Sequence, residues 1–231
     1  MPFTLDQVVP WGRSLDEYRR LFGLSEQDLA GSILGVGDGP ASFNAEMTAQ
    51  GRRVLSVDPL YAFSAAEIGR RIDETYDRVV DQLWPILDSY VWRDFADPHA
   101  LGRHRLATMQ RFLADYEVGR SQGRYVAGSL PTLDFADNQF DLALCSHLLF
   151  LYSEQLSYEF HLAAVKEMCR VAREARIFPL LDLAVQPSRH LAPLRAELTG
   201  QGYQVTIAPV DYEFQRGGNR MMVVSKQRSN T

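Results

Sequence analysis

Several things are scarce in this chain, and each scarcity excludes something. Only two cysteines, Cys145 and Cys169, occur in 231 residues, so no disulfide framework is expected. Cys145 sits inside an apolar run and reads as a small core residue rather than a nucleophile. Lysine occurs only at Lys166 and Lys226, and 24 basic residues face 29 acidic ones, for a net charge of −5. That balance lacks the basic footprint of a nucleic-acid binder. The arginines are scattered among acids and read as a solvated surface. There is no leader-like segment and no apolar run long enough to span a bilayer, so the expectation is a cytoplasmic protein with no membrane partner. Five histidines, His99, His104, His147, His161 and His190, lack zinc spacing, and no metal is expected. Repeats and low-complexity tracts are absent too. Apolar residues are not scarce: they make up 46% of the chain, enough for a large core. The length suits one α/β domain over 1–231 with an insertion.

What is there is organised around Ser32-Ile33-Leu34-Gly35-Val36-Gly37-Asp38-Gly39-Pro40-Ala41. With Leu29 and Ala30 upstream, its first half reads as a short buried strand. Three alternating glycines follow, and a helix is expected from Pro40, with Phe43 and Met47 on its apolar side. A strand, a Gly-rich turn and a helix N-terminus form a place for a ligand's polar end, because backbone N–H groups point outward and glycine lets the ligand come close. A dinucleotide fingerprint needs its third glycine at position 40, which is Pro40. A nicotinamide-dependent oxidoreductase is therefore disfavoured. Arg53 to Asp58 reads as a second strand ending in an acid, nineteen residues after Gly39. An acid there is placed to bind two ribose hydroxyls.

At this point the chain resembles the class I S-adenosylmethionine-dependent methyltransferases. A second stretch carries the resemblance: Gly128-Ser129-Leu130-Pro131-Thr132-Leu133-Asp134-Phe135-Ala136-Asp137-Asn138-Gln139-Phe140-Asp141 looks like the segment between the third and fourth strands of the small-molecule members. Residues 30–60 and 124–225 are covered. The resemblance implies S-adenosyl-L-methionine as cofactor, with Gly35, Gly37, Asp38, Gly39, Asp58, Pro59, Gly128, Ser129, Leu130 and Ser146 around it. Two positions depart from the family: Ile33 stands where an acid is usual two residues before the first glycine, and Ser129 where an acid is common near the adenine. Asp38 is the candidate to replace the first. No Asn/Asp-Pro-Pro-aromatic motif follows the fourth strand, unlike the DNA amino-methyltransferases.

Residues 1–13 read as irregular. Ser14 and Glu17 form a capping box for a helix ending at Gly23, either covering the sheet or acting as a lid. Residues 62–123 are an insertion of two amphipathic helices, one with Ile68, Ile72, Tyr76 and Val79, the other capped by Asp97-Pro98 and carrying Leu101, Met109, Phe112 and Tyr116. Between them runs Trp84, Tyr90, Trp92 and Phe95, either core or an acceptor pocket. Beyond a fourth strand, Phe140 to Cys145, come Ser146, His147 and Tyr152. His147 is a candidate general base or a wall residue; Trp92 and Tyr152 are candidates for acceptor contact. A helix over 154–172, a fifth strand from Ala175 to Leu181, a helix from Arg189 to Gly200 and two strands, Tyr203–Ala208 and Met221–Val224, complete the chain, the last two around a turn at Arg216–Asn219. The expectation is a seven-stranded, mostly parallel Rossmann-like sheet with an antiparallel last strand, helices on both faces and a helical insertion after the second strand. Its function would be methyl transfer to a small-molecule acceptor. The alternative is a module that binds the cofactor without catalysis. The oligomeric state is left open.

Overall fold

The computed structural model describes residues 10–226. The irregular start holds for residues 10–13; residues 1–9 lie outside the described residues. Helix α1 (Leu15–Phe22) begins as expected. The Ser14 hydroxyl accepts from the Glu17 N–H, the Glu17 carboxylate accepts from the Ser14 N–H, and Gly23 ends the helix at φ 55°. A second box, Ser25 with Asp28, makes the short helix α2 (Glu26–Ala30). This corrects one expectation: Leu29 and Ala30 end a capped helix and do not start the strand. Strand β1 is Ser32–Val36. Pro40 does not open the next helix either. The left-handed Gly37 and Gly39 carry the chain through Pro40 and Ala41 before helical angles resume, and α3 is Phe43–Ala49.

Strand β2 (Arg53–Val57) is followed by a 3-10 turn over Pro59–Ala62. The insertion then holds α4 (Ala65–Asp81), a 3-10 segment Trp84–Ser89 that carries Pro85 in its first turn and kinks at Ile86, and α5 (Pro98–Ser121), whose first turn is capped by Asp97. After β3 (Tyr125–Val126) and β4 (Phe140–Ser146), helix α6 (Tyr158–Val171) starts later than expected, because Ser157 caps it through the Phe160 N–H. Strand β5 (Ala172–Phe178) follows α6 without a loop and stops before Pro179, which has no N–H for the ladder. Helix α7 (Leu191–Gly200), β6 (Tyr203–Pro209) and β7 (Arg220–Lys226) finish the chain. The expected tight turn at residues 216–219 is instead the end of a longer connection, whose Arg216 N–H donates to the Ser89 carbonyl of the insertion.

The sheet has seven strands in the order β3-β2-β1-β4-β5-β7-β6. Strands β1 to β5 pair in parallel, and β7 runs antiparallel to both β5 and β6. Alternation along a strand sends neighbouring residues to opposite faces. In β4, Ala143 and Cys145 therefore face the core built with α6 and α7, whereas Leu142 and Leu144 face the core built with α1 and α3. The insertion has its own core, in which α4 and α5 bury Ile68, Ile72, Met109, Phe112 and Tyr116 beside Tyr125 of β3. No described helix is long and apolar enough to cross a membrane.

Candidate functional site

A cavity of about 790 Å³ opens along the carboxyl ends of β1, β2, β4 and β5. Strand order reverses between β1 and β4, and the crevice beyond such a switch point is where open α/β sheets bind ligands.

The glycine loop is shaped by three different constraints. At Gly35 a Cβ would lie 1.9 Å from the Asp38 carboxylate, so only glycine lets that side chain fold back over β1. At Gly37, φ is 70° and a Cβ would lie 2.6 Å from Leu148 Cδ2. At Gly39, φ is 53° and a Cβ would meet nothing within 4 Å, so the backbone there faces open space. Gly37, Asp38 and Gly39 line the cavity; Gly35 does not, and its part is to seat Asp38. Asp38 Oδ1 accepts from the Tyr18 hydroxyl at 2.7 Å, and Oδ2 accepts from Ser56 Oγ at 2.6 Å. Burial raises its carboxyl to about 6, the two hydroxyls partly offset this, and Asp58 adds to the rise. The candidate replacement for the missing acid at Ile33 thus has both oxygens already engaged by buried hydroxyls.

Asp58 faces the same cavity from the end of β2, with Pro59 beside it. Its Oδ2 accepts from the Gly39 N–H at 2.9 Å and its Oδ1 from the Leu60 N–H at 2.8 Å. Burial raises its pKa, and these two amides pull it back. A carboxylate offers about four lone-pair sites, so two backbone bonds leave acceptor capacity. Gly128, Ser129 and Leu130 form the adjoining wall after β3.

Strand β4 ends at Ser146, and both Ser146 and His147 line the cavity. His147 has φ 55°, left-handed for a residue with a side chain. The conformation is held by its N–H, which donates to the Phe178 carbonyl at 2.6 Å, and by Ser146 Oγ, 2.8 Å from Nδ1. Held strain of this kind collects at functional sites. Burial pushes the imidazole well below its ordinary pKa, and Arg13 and Arg105 push it further, so the ring is neutral at physiological pH. Tyr152 also lines the cavity.

Trp92 does not. Its ring packs edge-on against Tyr90 and Phe214, with centroids 6.2 and 5.4 Å away, and its indole N–H donates to the Leu87 carbonyl at 3.0 Å. That bond holds it behind the wall that Tyr90 and Phe214 present. This corrects the acceptor-contact expectation: Trp92 supports the wall and is not part of it. Burial pushes the Tyr90 hydroxyl up to about 12. The Cys145 thiol, buried in the core, is likewise pushed up to about 12.

Several residues that reach the cavity carried no signal in the sequence. Trp11, Arg13 and Tyr18 come from the N-terminal segment, and Tyr212, Phe214 and Gln215 from the connection before β7. Helix α1 therefore packs most of its apolar side on the sheet, while Tyr18 and the residues before the helix run along the cavity. Beneath this wall lies a buried network. Arg105 pairs with Glu17, and Tyr212 joins through its hydroxyl, 3.3 Å from Glu17 Oε1 and 3.4 Å from Arg105 Nη2. Burial alone would raise Glu17, but Arg105, His104 and Arg13 outweigh it and hold the carboxyl well below the usual range.

The sheet order and the antiparallel β7 define the class I S-adenosylmethionine-dependent methyltransferase fold. No protein-family model matches the chain. The uncharacterized protein MJ0045 of Methanocaldococcus jannaschii is 32% identical over 224 residues, spanning 96% of this chain and 98% of the relative. The chain belongs to the same family as that protein. Among solved structures, a putative S-adenosyl-L-methionine-dependent methyltransferase from Methanococcus maripaludis is 12% identical, with 94% of this chain and 85% of that one covered and a TM-score of 0.44. Magnesium protoporphyrin IX methyltransferase from Synechocystis is 13% identical, with 92% and 90% covered and a TM-score of 0.44. Likenesses this weak lend nothing to the chemistry below.

Proposed function

We propose that the cavity takes S-adenosyl-L-methionine and that the protein transfers its methyl group to a small-molecule acceptor. The observation that carries this reading is the junction of the glycine loop with Asp58. The Gly39 N–H is bonded to the Asp58 carboxylate, and both face one cavity at the switch point of the sheet. The fit is good on two further counts. The volume, about 790 Å³, lies inside the roughly 300–1,000 Å³ span of small-molecule sites. The Gly39 backbone borders space that a side chain would fill.

In this reading Asp58 accepts from the ribose hydroxyls, Gly37 and Gly39 face the methionyl part, Pro59 and Gly128–Leu130 enclose the base, and Ser146 and His147 stand at the transfer end, with Tyr152 on the acceptor side. When bound, the cofactor supplies an electrophilic methyl on a sulfonium. The protein's main work is to hold an acceptor in line with it, and positioning of this kind can remove roughly 7–11 kcal/mol of a barrier. If the acceptor keeps its proton at neutral pH, His147 is the base. The tautomer that donates from Nδ1 to Ser146 Oγ leaves the Nε2 lone pair to take that proton. Its lowered pKa keeps the accepting form present but makes it a weaker base.

The experiment has two stages. Calorimetry with S-adenosylhomocysteine and with NAD separates this reading from an oxidoreductase. Transfer of label from S-[methyl-³H]adenosylmethionine to candidate acceptors separates an enzyme from a module that only binds. S-Adenosylhomocysteine binding with no labelled product across acceptor classes would leave the non-catalytic module, which the hydrophobic Ile33 in place of an acid favours.

A further inference from the structure

One side chain on the cavity wall offers a hydrogen-bond acceptor that no described residue uses. Gln215 lines the cavity and is 9% exposed. Its Nε2 donates to the Asp182 carbonyl at 2.9 Å, while among the described residues its buried Oε1 accepts no hydrogen bond. The Asp182 carbonyl fixes the orientation of the amide, because a flipped amide would set two oxygens against each other. The main chain is held as well. The Val91 N–H donates to the Phe214 carbonyl at 2.7 Å, the Arg216 N–H to the Ser89 carbonyl at 2.9 Å, and the Gly218 N–H to the main-chain carbonyl of Gln215 at 2.8 Å. Asp182 is fixed in turn, its Oδ1 accepting from the Ala184 and Gln186 amides. Gln215 Oε1 is thus a preorganised acceptor, and leaving such a group unpaired is costly enough to select for a ligand that donates to it.

Sheet order sets Gln215 apart from the residues read as holding the cofactor. The glycine loop follows β1, Asp58 follows β2 and Gly128 to Leu130 follow β3, whereas Gln215 is tied to Asp182, just past the end of β5. A strand spacing of about 4.8 Å puts the ends of β2 and β5 about 14 Å apart, with β1 and β4 between them. Beside Gln215 the wall is made by Tyr90, Phe214, Leu183 and Gly218. Tyr90 forms a β-bridge with Gln215, and its ring stacks on Phe214 with centroids 4.7 Å apart. None of these four carries a charge; burial pushes the Tyr90 hydroxyl up to about 12, so the phenol stays neutral. A charged ligand group would lose its hydration here with no counter-charge to replace it. The paired rings offer their faces and edges to another ring.

We propose that Gln215 selects the methyl acceptor, its Oε1 taking a hydrogen bond from an uncharged O–H or N–H on an apolar, ring-bearing molecule that lies against Tyr90 and Phe214. The methyltransferase reading is needed to call that molecule a methyl acceptor, but not for the donor-reading site itself. Gln215 is a specificity residue. The transfer chemistry belongs to the end of β4, where Ser146 and His147 stand. A molecule of the same outline without the donor leaves Oε1 unpaired and is rejected.

Ligand-observed NMR titrations on the full chain compare wild type and Gln215→Met with two pairs of probes of equal shape, indole beside benzofuran and phenol beside fluorobenzene. Calorimetry adds S-adenosylhomocysteine, and thermal melts check folding. Wild type is expected to bind the donor of each pair at least about tenfold more tightly, and Gln215→Met under about twofold. Benzofuran, fluorobenzene and S-adenosylhomocysteine should each keep their affinity within about twofold. A merely structural role for Gln215 would weaken both members of a pair together, leave the ratio intact and overturn the proposal. No donor preference in wild type, or no binding of any of the four probes, overturns it too. So does Gln215→Met weakening S-adenosylhomocysteine with the probe ratios unchanged, which assigns the amide to the cofactor. If the variant does not fold, the wild type decides: at equal occupancy indole should move the Gln215 side-chain carbonyl carbon downfield and benzofuran should not, and equal shifts, or none, overturn the proposal. If S-adenosylhomocysteine binds neither protein while donor preference tracks Gln215, the site stands and the methyltransferase reading falls.

Discussion

The two ends of the cavity are built from different materials. At the Asp58 end the polar groups that build the cavity are mostly backbone: left-handed glycines, the Gly39 and Leu60 amides, and one carboxylate fixed by both of them. At the His147 end they are side chains, brought from α1, α5, β4 and the connection before β7, and tied by buried ion pairs and hydroxyls. Backbone geometry leaves a local trace in sequence, since glycine spacing and strand length fix it over a few residues. Side-chain constellations leave none, because their members are far apart in the chain.

The side-chain end should be the more sensitive of the two to a single substitution. Glu17→Gln keeps the shape of the α1 capping box but leaves Arg105 buried and unpaired. It should cost about 3–5 kcal/mol in unfolding free energy, the range for removing one partner of a buried ion pair. Chemical denaturation measures it, and a loss below about 1 kcal/mol would mean that the pair is solvated.

Asp38 is the side chain at the backbone end that behaves like those at the other. Its folded pKa of about 6 lies above the ordinary 3.8. The folded state therefore holds its proton more tightly than the unfolded chain does, and folding stability falls as pH rises from about 4 to about 6. Asp38→Asn mimics the protonated form. Relative to it, wild type should lose roughly 3 kcal/mol between pH 4 and pH 7, two pKa units at about 1.4 kcal/mol each. Paired melts across pH test this; a constant difference, or one of opposite sign, refutes the buried-acid account.

The glycine loop should yield a smaller effect. Gly35→Ala sets a methyl against the Asp38 carboxylate and should cost about 1–3 kcal/mol. Combining it with Asp38→Ala should recover part of that loss, since the clash needs both groups. Strictly additive losses would place the constraint elsewhere. Smallest is Trp92→Ala. Trp92 is half-buried behind the wall, so about 1–2 kcal/mol of stability should go, less than the 3–5 kcal/mol of a fully buried ring, with S-adenosylhomocysteine affinity unchanged. Weakened cofactor affinity at unchanged stability would put Trp92 back in the cavity.

The sequence was legible where its signals are local. The capping box at Ser14, the kink beside Pro85, the cap at Asp97 and the placement of Asp58 after β2 all follow from residues within a few positions of each other. The errors were of two kinds. Leu29 and Ala30 looked like strand because their apolar character outweighed the quieter Ser25–Asp28 box. Pro40 looked like a helix start because nothing in the sequence reports that two left-handed glycines delay the helix to Phe43. Arg13, Tyr212 and Gln215 were out of reach for another reason. Each belongs to irregular chain whose path is set by tertiary contacts, such as the Ser42 N–H on the Arg13 carbonyl and the Gln215 amide on the Asp182 carbonyl. Trp92 could be counted in an aromatic run, but only the Leu87 carbonyl that holds its indole decides which way it faces.

The central claim is that the backbone-built end of the cavity is a nucleoside site with Asp58 on the ribose. Calorimetric titration of S-adenosylhomocysteine into wild type and Asp58→Ala, with NAD in parallel, tests it most directly. The account predicts one-to-one binding to wild type, no binding of NAD, and a loss of about 1.5–3 kcal/mol in Asp58→Ala, as for hydrogen bonds to a charged group. Absence of S-adenosylhomocysteine binding to wild type, or a loss of only a few tenths of a kcal/mol in the variant, would contradict it.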